Sequence, residues 1–135
     1  MEKNLDQKLV SIKISKLSKL IDRLLEKEIR SLGLRRGQHA ILLAVADLTK
    51  PSFTELSQRL DVDKAAITRS VAACEKRGWL RTDFAQGNLK LKQVSLTKSG
   101  QQLVFEIHEA MNNVENALRS DIPSPLYSML KDISL

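Results

Sequence analysis

A chain of 135 residues with 42% apolar, 28% charged and only 4% aromatic side chains has the make-up of one globular domain, and its few rings argue against a ring-lined substrate pocket or a base-stacking RNA platform. No apolar run approaches the ~18 residues of a membrane span, Met1 to Lys8 lack the apolar stretch of a signal peptide, and one cysteine excludes an internal disulfide. The formal charge of +6 is uneven: residues 33–98 hold 12 Lys/Arg against 6 Asp/Glu, whereas residues 99–135 hold 2 against 5. A cytoplasmic protein with no membrane contact and a basic middle segment is the expectation.

The first element is a long amphipathic helix, roughly Asn4 to Leu32, because Leu5, Leu9, Ile12, Leu17, Leu20, Ile21, Leu24, Leu25 and Ile29 recur at steps of three and four. Gly33 stops it. At 1.5 Å per residue it is ~40 Å long, more than a small domain is wide, so its far end needs a partner. An apolar helix, His39 to Leu48, follows and is broken by Lys50-Pro51-Ser52. Phe53 to Leu60 is a short helix, Asp61-Val62 a tight turn, and Asp63 the cap of a helix that reaches about Arg77 before Gly78.

Trp79 to Phe84 and Leu89 to Leu96 read as two strands joined by Ala85-Gln86-Gly87-Asn88. Leu89 and Leu91 have one parity and Val94 and Leu96 the other, which predicts a bulge or strong twist near Lys92-Gln93. Thr97 then caps a helix of more than 20 residues striped by Leu103, Val104, Ile107, Met111, Val114, Ala117, Leu118 and Ile122. Ser124-Pro125 opens a final short helix with Leu126, Met129, Leu130 and Ile133 on one face. Both termini are thus apolar-striped helices, and a dimerisation unit built from Leu5, Leu9, Ile12, Val114, Leu118, Leu126 and Leu130 is the economical assignment.

Two short helices across a tight turn, then a small hairpin, is the order of a winged helix-turn-helix. With Ile67 at the centre of the buried face of the second helix, Val71 and Cys74 fall within about 40° of it at ~100° per residue. Lys64 stands at the helix start, where the dipole favours an anion. Ala65, Thr68, Arg69, Ala72 and Lys76 point the other way. Small side chains let a helix sit deep in a major groove, Thr68 can bond a base edge or phosphate, and Arg69 can fork onto guanine. Behind Gly87-Asn88, Lys90 and Lys92 share one face of the hairpin. Taken singly, Arg69 and Lys76 are equally well solvated helix charges, and the hairpin lysines guards of an edge strand. Their joint placement favours the nucleic-acid assignment.

From Gly33 to Gly100 these residues resemble the MarR family of bacterial regulators. The resemblance rests on Gly33-Leu34 and Gln38, Thr54-Glu55-Leu56-Ser57 to Leu60, Asp63-Lys64-Ala65-Ala66-Ile67-Thr68-Arg69, Glu75-Lys76-Arg77-Gly78-Trp79-Leu80, and Val94-Ser95-Leu96-Thr97-Lys98-Ser99-Gly100. It implies a mainly α fold with a small antiparallel β wing, a DNA-binding part over 33–98, and helical dimerisation parts over 1–32 and 99–135. It also implies a homodimer on double-stranded DNA with half-sites ~34–36 Å apart, acting as a repressor released by a small-molecule effector or an oxidant. The family's wing pattern, Asp-x-Arg, is replaced by Asn88-Leu89-Lys90. That keeps a charge but loses the planar fork of arginine and the ion pair of the aspartate.

Cys74 falls at an apolar position of the recognition helix, where an inert thiol is expected over a redox sensor. His39, His108 and Cys74 have no metal-ligand spacing, Trp79 is expected in the core, and no nucleophile–base pair or phosphate loop is present, so neither enzyme chemistry nor a cofactor is expected. The alternative to a DNA-binding regulator is a winged-helix adaptor that contacts proteins only.

Overall fold

The computed structural model describes residues 9–35 and 37–134. Its elements are α1 (Val10–Ser31), α2 (Gln38–Leu48), α3 (Phe53–Leu60), α4 (Lys64–Lys76), β1 (Leu80–Ala85), β2 (Asn88–Leu96), α5 (Lys98–Asp121) and α6 (Ser124–Lys131). The chain divides into two compact units, one of residues 1–31 with 109–135 and one of residues 32–108. No described helix is long and apolar enough to cross a membrane.

In the unit of residues 32–108 the helix ends are set by local chemistry. Ser52 accepts from the Glu55 amide at 3.1 Å while the Glu55 carboxylate accepts from the Ser52 amide, a reciprocal cap that starts α3. Asp61 ends α3 in the left-handed region, which aspartate tolerates. The Ser57 hydroxyl then donates to the Val62 carbonyl at 2.6 Å and ties down the turn. Asp63 accepts from the Ala66 amide at 2.7 Å and starts α4. The apolar side chains of these elements meet in one core in which Leu42, Leu56, Ile67, Val71, Cys74, Val94 and Ile107 are fully or almost fully buried. Trp79, expected in the core as the start of the first strand, is buried and stands one residue before β1.

Strands β1 and β2 pair antiparallel, Leu80 with Leu96 through Phe84 with Lys92. The Pro51 carbonyl accepts from the Val94 amide at 2.9 Å, and Ser52 forms an isolated bridge with Gln93, so the α2–α3 connection lies along β2. The bulge predicted near Lys92-Gln93 is found directly beside Lys92, the last β2 residue in regular register. The shift lies between Phe84 and Ala85, where Ala85 pairs with Asn88 and Leu89 to Leu91 stand out of register. Leu89 is 81% exposed and Leu91 40%, against 0% for Val94. The change of parity therefore falls outside the core, and nothing forces the strand to kink beside Val94.

α5 starts as its sequence predicts, with Thr97 accepting from the Gly100 amide at 3.0 Å. The same hydroxyl donates to the Gly78 carbonyl at 2.6 Å, and the Thr97 amide donates to the Trp79 carbonyl at 3.0 Å. Gly100 sits so close to this strand start that a Cβ there would lie 2.0 Å from the Trp79 oxygen. In the unit of residues 1–31 and 109–135, Ile29, Ala110, Val114 and Leu118 are buried. Tyr127 of α6 donates to Glu115 and accepts from Arg119 of α5, which fastens the last helix to the one before it.

Because the neighbour of Gly100 is backbone and cannot swing away, Gly100→Ala is expected to cost about 1–3 kcal/mol. A lowered thermal midpoint by circular dichroism checks this, and an unchanged midpoint would contradict the close approach.

Candidate nucleic-acid interface

The buried side of α4 consists of Ile67, Val71 and Cys74, the set its spacing predicts. Lys64, Ala65, Thr68, Arg69, Ala72 and Lys76 are all exposed. The Thr68 hydroxyl donates to the Lys64 carbonyl at 2.8 Å, one turn back. Its proton is thereby engaged, and its oxygen is left to accept from a base amino group. Among the described residues Lys64, Arg69 and Lys76 take part in no ion pair, whereas Arg59 pairs with Asp47 and Arg81 with Asp83. An unpaired cation has no partner to give up when an incoming phosphate or guanine approaches.

Asn88, Lys90 and Lys92 are exposed on β2. The Asn88 side-chain oxygen accepts from the Lys90 amide at 3.0 Å. Asn88 therefore shapes the wing's backbone and leaves the Lys90 ammonium free for an outside acceptor. Lys90 and Lys92, like the α4 cations, have no ion pair among the described residues. The α4 and wing residues lie in the same compact unit.

The residues expected at a dimer contact fall into three groups. Leu9, Leu126 and Leu130 are 44%, 44% and 42% exposed, and Ile12 is half-buried. Val114 and Leu118 are each 7% exposed, covered by the chain itself. Leu5 lies outside the described residues. Val10, Ile14, Met129 and Ile133 add to the exposed apolar side chains of this unit.

Arg77 has a role that its sequence position does not announce. Its guanidinium stacks 4.4 Å from the centroid of the Trp79 ring and donates to the Gly33 carbonyl at 3.5 Å. It thus ties the end of α4 to the chain entering α2. The only available signal is the cluster Arg77-Gly78-Trp79, whose glycine turn, at φ +79°, brings cation and ring together. His39 is partly desolvated, which lowers its pKa from the usual histidine value, and its buried Nδ1 has no partner. Among the described residues no three His, Cys, Asp or Glu side chains gather as a metal ion would need.

A helix-turn-helix with a two-stranded hairpin directly after its second helix defines the winged helix-turn-helix class. Residues 32–87 match the sequence model of the MarR family. The HTH-type transcriptional regulator BilQ of Clostridioides difficile is 23% identical over 128 residues, covering 95% of this chain and 86% of that protein. The fold is that of a mutant MarR from E. coli complexed with operator DNA, with TM-score 0.79 and 20% identity over 94% of this chain and 93% of that one. It is equally similar to CouR from Rhodococcus jostii bound to p-coumaroyl-CoA, with TM-score 0.79 and 15% identity over 93% of this chain and 89% of that one. The match to the MarR family model covers residues 32–87, and the likeness of fold to wild-type MarR from E. coli extends over 91% of the chain.

Burial pushes the Cys74 thiol up to about 11, with the Arg77 charge opposing the shift only in part. The thiolate that would react is therefore scarce at neutral pH. A thiol-specific disulfide reagent at pH 8 is expected to label Cys74 far more slowly in the folded chain than in denaturant, and equal rates would contradict the burial.

Proposed function

We propose that the chain is a sequence-specific DNA-binding repressor that acts as a homodimer and has no catalytic activity. The observation that carries this is the exposed face of α4, where Thr68, Arg69 and Lys76 stand without ion-pair partners among small side chains on a capped helix. In this proposal Ala65 and Ala72 let the helix approach base edges, Arg69 and Thr68 read them, and Lys64 and Lys76 hold phosphates. Asn88, Lys90 and Lys92 place the wing on the flanking backbone.

The dimer is supported by the apolar side chains left exposed on and beside α1 and α6, Leu9, Val10, Ile14, Leu126, Met129, Leu130 and Ile133. Leu5 and Ile12 are assigned to the same contact. Val114 and Leu118 would back it from within the chain. Residues 1–32 and 99–135 form the dimerisation part in this proposal, and residues 33–98 the DNA-binding part. Release by a small-molecule effector is proposed on the likeness to CouR, which is bound to p-coumaroyl-CoA.

The test is fluorescence anisotropy at several salt concentrations, with a duplex that the chain selects from a random library and an unrelated duplex as control. Selective binding of two chains per duplex is expected, with log affinity falling linearly against log salt. Arg69→Ala is expected to cost about 1–3 kcal/mol on the selected duplex, and Lys76→Ala to reduce the salt slope by about 1. Absence of binding to any duplex at low salt would overturn the proposal.

A further inference from the structure

The wing ends in an apolar tip that the core does not use. Phe84, Leu89 and Leu91 are 53%, 81% and 40% exposed, and Leu89 is the most exposed large apolar side chain among the described residues. The tip has a defined shape. Ala85 pairs with Asn88 across Gln86-Gly87, and Gly87 has φ +78°, a value that favours glycine. Asn88 holds the Lys90 amide at 3.0 Å, and the ladder resumes only at Phe84 with Lys92. Leu89 to Leu91 are thus held out of register.

Lys90 and Lys92 interleave with these leucines and have no ion pair among the described residues. An apolar point flanked by free cations matches a polyanion whose interior is apolar. The stacked bases of a duplex between its phosphates fit that description, and the same compact unit carries the unpaired cations of α4.

Resting on the DNA-binding proposal above, we infer that Leu89 is a wedge. It enters a base step from the minor groove while Lys90 and Lys92 hold the phosphates on either side, and the duplex bends at that step. The wing then selects DNA by deformability, favouring pyrimidine–purine steps, which unstack most easily. A leucine makes no base-edge hydrogen bond, so the selection is one of shape.

The experiment measures the bend of a selected duplex, labelled at both ends for energy transfer, with the full chain and its Leu89→Ser and Lys90→Ala variants. The wild type is expected to bend the duplex. Leu89→Ser is expected to keep its thermal midpoint and salt slope, abolish the bend and weaken binding about tenfold, the scale of covering one leucine side chain. Lys90→Ala is expected to keep the bend and lower the salt slope by about 1. A Leu89→Ser variant that binds and bends like the wild type would overturn the wedge and leave DNA binding standing. A wild type that binds no duplex would overturn both. A tip whose loss releases the chain from phosphatidylglycerol vesicles and leaves DNA bending intact would assign it to an anionic lipid surface and overturn the wedge.

Discussion

The contact on which the unit of residues 32–108 depends is the junction of Thr97 and Gly100 with the backbone of Gly78 and Trp79. One hydroxyl bridges the Gly78 carbonyl and the Gly100 amide, and the Thr97 amide takes the Trp79 carbonyl. The Trp79 amide in turn donates to the Cys74 carbonyl at 3.0 Å. The end of α4, the start of β1, the end of β2 and the start of α5 are thereby fixed to one point. Each such hydrogen bond contributes about 1 kcal/mol net. Their larger effect is geometric, because helix and wing share a base and neither can turn without the other. Glycine at position 100 is what allows the backbones to come so close.

Arg77 and Trp79 extend this junction toward α2. Stacked on the indole, the guanidinium closes the gap to Gly33 and shields one side of the ring. Charge is divided between two tasks. Arg77, Arg59 and Arg81 are engaged within the chain, while Lys64, Arg69, Lys76, Lys90 and Lys92 are not. Exposed ion pairs add little stability. What the pairing decides is which cations remain for a polyanion, and those on α4 and the wing are among them.

Much of this organisation is legible in the residues. Asp63, Thr97 and Pro125 mark helix starts by their own chemistry, and Ile67, Val71 and Cys74 reveal the buried side of α4 by spacing. The irregularity of the hairpin was legible only as a change of parity. Its extent over Leu89 to Leu91 depends on where the core ends, and that is not a local property. The approach of Gly100 to Trp79 and the stacking of Arg77 were hidden for the same reason, since they depend on how distant segments meet. Val114 and Leu118 show a further limit. A helical stripe signals that something covers it, but not whether the cover is the same chain or another copy; here the chain covers both residues.

The proposed surface that meets DNA is formed by α4 and the wing tip together. Hydrogen–deuterium exchange of the full chain, with and without a duplex it selects, tests this most directly. Slowed exchange in residues 64–76 and 85–92 is expected on binding. Protection confined to other segments, or no change with the duplex bound, would contradict it.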